Sequence, residues 1–440
     1  MRAKILVKAI PALLGVVLLL AACSGGGSKS NGQSGSAAQQ SGPVKLTFWT
    51  WATNINKVVA IWNQKNPNIQ VTVSTPAQGD ALVTKLLAAN KGGNPPDLFQ
   101  AEYQALPSLI TNGVTADISK YVGSIQGAFT DGAWKLVRFG SATYAIPQDF
   151  GPMMLFYRAD LFKQYGLAVP TTWDQFAQEA ATLHAKAPKR FLTTFSGHDP
   201  GWFAGLAEQA GAQWWSNDGK SWTVAINDAA TQKVASYWNG LVTRGVIQGQ
   251  PMYTPQWNKA MNDGTLLAWP SAVWGPAVLA GIAPDTKGKW AMAPLPAWTA
   301  GDQHVGFWGG SSTAVAAKSK HQAQAAQFAA WLNTDPQALE ALVTQGSLYP
   351  AATQGQSTPS LQKAPDFMPN QPTFFQTAQQ ISASAAGFTW GPDVNVAYST
   401  YNDAFSKAVQ SHQPFTTALD AMQSATVADM KKAGFALTNS

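Results

Sequence analysis

From Val44 the chain alternates two hydrophobic periods. VKLTFWT at 44–50 places Val44, Leu46 and Phe48 on one face, the period of two expected of a strand. Ile55, Val58, Val59 and Trp62 follow at helical spacing, and IQVTVS at 69–74 returns to the strand period. A second helix is expected at about Asp80 to Asn90, a Gly/Pro turn from Lys91 to Pro96, and a buried strand at Asp97-Leu98-Phe99-Gln100. This βαβ alternation predicts an α/β fold with a parallel or mixed sheet covered by helices. Further helices are expected at Thr172–Ala187, Asp228–Arg244, His321–Asn333 and Val396–Gln410. Trp-rich stretches without helical period lie between them: Phe195–Trp202, Gln213–Trp222, Trp269–Trp274, Gly306–Ser312 and Phe388–Pro392. Binding residues concentrate in such loops.

Upstream of Val44 the pattern differs. Arg2, Lys4 and Lys8 precede an apolar run, Ala9 to Leu20, that contains Pro11 and is too short for a stable membrane anchor. It reads as an export signal over residues 1–22. The run ends in Leu20-Ala21-Ala22-Cys23, which resembles a bacterial lipobox, and so implies a diacylglycerol on the Cys23 thiol. Residues 23–43 then comprise the lipidated cysteine and a Gly/Ser/Gln tether, whose coil reach is roughly 25 Å. No later run reaches the length of a membrane span.

With 440 residues and 45% hydrophobic positions, the chain has room for two or three cored domains. Charged residues are only 12%, so surface polarity must come largely from Gln, Asn, Ser and Thr. The formal charge of +6 falls to +3 without Arg2, Lys4 and Lys8, which excludes a nucleic-acid footprint. Cys23 is the single cysteine, so no intramolecular disulfide supports the exported fold.

Enzyme and metal signatures are missing. His184, His198, His304, His321 and His412 have no metal-binding spacing, and GxGxxG, GxxxxGK[ST] and GxSxG do not occur. We therefore expect no cofactor and no metal. Acidic residues stand in aromatic surroundings at Glu102, Asp149 and Asp199, where carboxylates either accept sugar hydroxyls or form the pair of a glycosidase. Trp is abundant at 18 residues. Trp62, Trp173, Trp238 and Trp331, within or at the start of helices, read as packing residues. Trp51, Trp202, Trp274, Trp308 and Trp390 fall at strand ends or in Gly/Pro loops and are candidates for recognition.

Several segments, in order, resemble the extracellular solute-binding proteins of carbohydrate ABC importers, the maltose-binding-protein-like group. They are LTFWTWATNINKVVAIWNQKNPNIQV, NPPDLFQAEYQALPSLITNGVTADISKYV, GSATYAIPQDFGPMMLFYRADLFKQYGLAVPTTWDQFAQEA, GTLLAWPSAVWGP, VGFWGGSSTAVAAKS and AAQFAAWLNTDPQALEALVTQGSLYPA. The resemblance implies a two-lobed periplasmic-binding-protein-like fold of type II, with discontinuous lobes joined by hinge strands. Lobe one would comprise 44–146 and 297–346, and lobe two 147–296 and 347–440. Hinges would lie near Ile146-Pro147, Pro294-Leu295-Pro296 and Leu348-Tyr349-Pro350.

By the same resemblance the ligand contacts would be Trp51, Glu102, Asp149, Trp202, Trp274, Trp308 and Trp390. The segment ATNIN departs from the best-known maltose binder, since it offers no charged pair. The implied function is capture of a sugar or oligosaccharide and its delivery to permease subunits with cytoplasmic ATPases, by a monomer held on the outer face of a bacterial membrane through its lipid. It would catalyse nothing. Two other readings stay open: a secreted glycoside hydrolase using Glu102 and Asp149, and the same fold binding iron or a polyamine, although neither a Tyr/His cluster nor an acidic cluster is visible.

Overall fold

The computed structural model describes residues 43–438 except 347 and 385–387; Cys23, the leader and nearly all of the tether lie outside the described residues. The expected βαβ opening is present as strand Val44–Trp49, helix Ile55–Lys65, strand Ile69–Ser74, helix Gly79–Lys91 and strand Leu98–Glu102. Val44–Trp49 runs parallel to both of its neighbours. Ile55, Val58, Val59 and Trp62 form the buried stripe of the first helix, and Trp62 packs on Phe328 and Trp331 of helix Gln322–Thr334.

The organising element is Ala145–Arg158, a 14-residue strand with only Asp149 and Tyr157 less than buried. A near-continuous apolar run of this kind is what a strand covered on both faces requires. Its first half, Ala145 to Pro152, pairs antiparallel with Phe307–Val315. Its second half lies between Ala268–Ala272 and Trp290–Pro294, antiparallel to both. One strand thus belongs to two sheet regions, and its partners change between Pro152 and Met153.

Proline cannot donate to a ladder, and Pro147 and Pro152 sit where the register with Phe307–Val315 slips. The opposite strand accommodates the slip through Gly309 and Gly310, whose φ values of +77° and +103° lie in the region that favours glycine. A third segment joins on the other edge: Phe150 N–H donates to the Tyr349 carbonyl, and Ala351 N–H to the Gln148 carbonyl. Three crossings therefore lie side by side at Asp149, which bridges to both Ser311 and Pro350.

Sequence periodicity missed one element that matters. Residues Pro200–Gln209 form a helix, although Phe195–Trp202 reads as loop from the sequence. Trp202 through Gln209 are all buried, so no polar face marks the helical period. At least eight Trp side chains, including Trp173, Trp202, Trp214, Trp215 and Trp238, are fully buried in the core. Trp173, Trp202, Trp238 and Phe195 form an edge-to-face cluster, and the Trp173 indole N–H donates to Gln209, which donates in turn to the Pro296 carbonyl. Most of the tryptophan excess is therefore core packing.

Candidate functional site

A cavity of about 190 Å³ opens where five pieces of chain meet, one of them contributing Leu136. Strand Leu98–Glu102 and the turn after it contribute Glu102, Tyr103 and Gln104. Helix Pro200–Gln209 contributes Gly201 and Glu208, the start of strand Phe307–Val315 contributes Phe307, Trp308 and Gly309, and the segment beyond 387 contributes Phe388, Trp390 and Tyr398. Of its aromatic lining, Phe307, Trp308, Trp390 and Tyr398 are half-buried and Tyr103 and Phe388 buried, with the carboxyl residues Glu102 and Glu208 among them. Trp390 packs against Phe388 and Tyr398. Trp308 meets Trp274, Trp269 and Tyr253 edge-on or tilted. The Glu102 carboxylate accepts from the Gln104 amide at 2.8 Å, which orients it at the strand end.

Of the residues expected to contact ligand, the structure brings Glu102, Trp308 and Trp390 to this one cavity. Trp51 lines a separate narrow crevice together with Glu102, its backbone N–H donating to Gln100 at 3.2 Å. Asp149 and Trp274 line a second cavity of about 220 Å³ with Leu348, Tyr349 and Phe375, beside the three crossings. Trp274 supports Trp308 from behind, its indole N–H donating to the Trp308 carbonyl at 3.2 Å. Trp202 does not reach either cavity; it is wholly buried, with its N–H spent on the Pro270 carbonyl at 3.0 Å. Its expected role in recognition is corrected to one in the core, because its ring packs among Phe195 and Trp238 with no exposed surface.

Asp149 is committed to the fold. Its carboxylate accepts from both the backbone N–H and the hydroxyl of Ser311, and its carbonyl accepts from the Tyr103 hydroxyl at 3.0 Å. Ser311 also accepts from Gln100, which accepts from Thr50, so a buried polar chain joins four strand segments. Burial pushes the Asp149 pKa up to about 6 against the opposing pull of the Ser311 bonds.

Two further residues escaped the sequence reading. Glu208 is buried at the cavity wall, with burial pushing its pKa up to about 8. The only available signal was an acid inside the apolar stretch WFAGLAEQAG. Tyr253 is 43% exposed with a φ of +60°, a strained conformation of the kind found at ligand sites, and its ring lies 6.2 Å from Trp308. Among the described residues there is no cluster of groups able to hold a metal ion, and no helix long and apolar enough to cross a membrane.

Residues 49–339 match the family model described as bacterial extracellular solute-binding protein. The chain belongs to that family. This solute-binding protein is 24% identical to the arabinooligosaccharide-binding protein of Bacillus subtilis (strain 168) over 332 residues, covering 72% of this chain and 73% of that protein. Its structure is similar to that of the galacto-N-biose-/lacto-N-biose I-binding protein of the ABC transporter from Bifidobacterium longum, solved with lacto-N-biose. The TM-score is 0.80 at 26% identity, over 91% of this chain and 100% of the other. An ABC-transporter-associated binding protein from B. animalis subsp. lactis Bl-04, solved with β-1,6-galactobiose, matches with a TM-score of 0.75 at 25% identity, over 90% and 99% of the two chains. The solute-binding protein described here accordingly has the two-lobed α/β fold of type II, and its family and these relatives are binding proteins.

Proposed function

We propose that this protein is the receptor of a carbohydrate ABC importer, capturing a sugar or short oligosaccharide in the cavity of Trp308 and Trp390. The observation that carries the reading is that cavity: the Trp308 and Trp390 indoles and the Tyr398 ring line it together with Glu102 and Glu208. A pyranose presents apolar faces of C–H groups and a rim of hydroxyls, so aromatic platforms and carboxyl groups in one pocket complement both. Charge-assisted bonds from sugar hydroxyls to Glu102 contribute about 1.5 to 3 kcal/mol each. The relatives named for arabino-oligosaccharides and lacto-N-biose, and the one solved with β-1,6-galactobiose, support this class of ligand.

In this reading lobe one is 44–146 with 297–346 and lobe two is 147–296 with 347–440, hinged near Ile146-Pro147, Pro294-Leu295-Pro296 and Leu348-Tyr349-Pro350. At Asp149 the segments around Ile146-Pro147 and Tyr349-Pro350 lie side by side with Ser311, which supports the first and third of these hinges. Ligand favours the closed form by its differential affinity, and the permease with its ATPases reads that form. Cys23 carries the lipid that holds the monomer at the outer face of the membrane, and the protein catalyses no reaction.

A thermal-shift screen with lacto-N-biose, β-1,6-galactobiose, arabinotriose and maltotriose tests the reading, with spermidine and ferric citrate as controls. A saccharide at 100 times its dissociation constant adds about 2.7 kcal/mol of stability. A shift with a saccharide that Trp390→Ala abolishes is the expected result. A shift with a control alone refutes the sugar assignment, and turnover of chromogenic glycosides would establish the hydrolase instead.

A further inference from the structure

We propose that Glu208 recognises the bound saccharide as a neutral carboxylic acid, donating a hydrogen bond from Oε1 to an acceptor oxygen of the ligand. The inference rests on the receptor reading of the same cavity and adds to it a residue, a protonation state and a pH dependence.

The geometry begins with the helix. Pro200–Gln209 lies against the start of strand Phe307–Val315 so closely that a Cβ on Gly306 would stand 1.9 Å from the Gly205 carbonyl oxygen. That approach, open only to glycine, sets Glu208 against the backbone of Phe307. Glu208 Oε2 accepts the Phe307 N–H at 2.9 Å. Oε1 is buried and has no hydrogen-bond partner within the protein, while the residue forms part of the cavity wall. A buried polar atom left unpaired costs about 1 to 3 kcal/mol, a cost that a ligand oxygen reaching Oε1 would remove.

The two oxygens then have separate roles. Oε2 is held as an acceptor by a backbone donor, so the proton of the neutral acid resides on Oε1, the oxygen without a partner in the protein. The surroundings favour that state. Burial is the dominant influence on Glu208, and the Phe307 N–H is the one influence acting against it. The other titratable groups that line the cavity are Glu102 and the phenols Tyr103 and Tyr398; Asp199 and His198 stand at the start of the same helix, and the helices packed on it carry Lys233 and Arg244 on one and Asp393, Asp403 and Lys407 on the other. No lysine or arginine lines the cavity. A neutral donor here selects ligand oxygens with free lone pairs, such as a ring oxygen, a hydroxyl oxygen or an acetamido carbonyl.

The test is isothermal titration of the full-length protein with lacto-N-biose, β-1,6-galactobiose and arabinotriose from about pH 6 to pH 9.5, for wild type, Glu208→Gln and Glu208→Ala. Wild-type affinity for whichever saccharide binds is expected to fall about ten-fold or more above pH 8, as the donor ionises. Near pH 6.5 Glu208→Ala weakens binding about ten-fold, and Glu208→Gln, which keeps a donor and an acceptor, weakens it less and flattens the alkaline fall. Thermal melts of the unliganded variants confirm that each is folded. A flat wild-type profile overturns the inference, as does a Glu208→Gln protein as weak as Glu208→Ala near pH 6.5, which would assign an ionised acceptor. Carboxyl ¹³C titration of the unliganded protein must show one glutamate signal titrating near 8 that is lost in Glu208→Gln; its absence also overturns the inference. Folded wild type that binds no saccharide sinks the receptor reading itself, whereas saccharide binding indifferent to Glu208 sinks only this role.

Discussion

Replacing Asp149 by asparagine removes a charge from the middle of three crossing segments while leaving an oxygen to accept the Ser311 bonds. The carboxyl titrates at about 6 in the fold against an ordinary 3.8, so the fold disfavours its ionised form by roughly 3 kcal/mol. Because the folded pKa lies above the unfolded one, the native state binds the proton more tightly. The stability this contributes is complete below about pH 3.8 and is lost as the pH rises through about 6. At pH 7.5 the wild type bears the whole cost of burying the charge, and Asp149→Asn bears none. The variant is therefore expected to be about 3 kcal/mol more stable at pH 7.5, with the difference shrinking towards zero near pH 3. Urea unfolding of both proteins at the two pH values measures it, with the slopes compared to verify that the unfolded states match. A less stable variant at pH 7.5 would show that the Ser311 bonds need the full charge. An equal difference at both pH values would show that Asp149 titrates alike in the folded and unfolded chain.

Three further outcomes follow from the packing and the leader. Trp202→Ala should cost about 3 to 5 kcal/mol by chemical denaturation, and Trp390→Ala, half-buried at the cavity, should cost less than half of that while removing saccharide-induced stabilisation; equal costs would refute the division between core and cleft. Gly306→Ala forces a methyl group against the Gly205 carbonyl and should destabilise by about 1 to 3 kcal/mol in the same assay, an unchanged midpoint contradicting the close approach. Cys23→Ala should move the protein from the membrane fraction to the medium or periplasm, and undiminished membrane retention would refute lipidation.

The regions read most fully from sequence are those whose pattern is local. Helices Trp173–Lys186, Ala229–Thr243, Gln322–Thr334 and Val394–Ser411 lie within a residue or two of their expected bounds, because each shows one apolar stripe against a polar face. Pro200–Gln209 gives no such contrast, since every residue from Trp202 onward is buried, and Glu208 was lost with it. The candidate site divides in the same way. Glu102, Trp308 and Trp390 share a cavity, while Trp51, Asp149 and Trp274 stand in neighbouring recesses. Which indole faces the cleft depends on how the crossings stack, and no periodicity within a single segment encodes that stacking. Trp202 shows the limit, since a glycine and proline neighbourhood looks like a loop yet here opens a core helix.

The pairing of strand Leu98–Glu102 also bears on assembly. Gln100 bonds Ser311 across 211 positions of chain, and strand Leu98–Glu102 has the late segment Ser311–Val315 as its antiparallel neighbour. Nearly three quarters of the polypeptide must therefore be synthesised before the first sheet can close. Pairings of such long range are slow to nucleate, because closing the intervening loop comes before any contact it enables. A nascent chain with this connectivity remains open for longer than one built from local hairpins, the condition in which a chain can be threaded through a membrane before it locks.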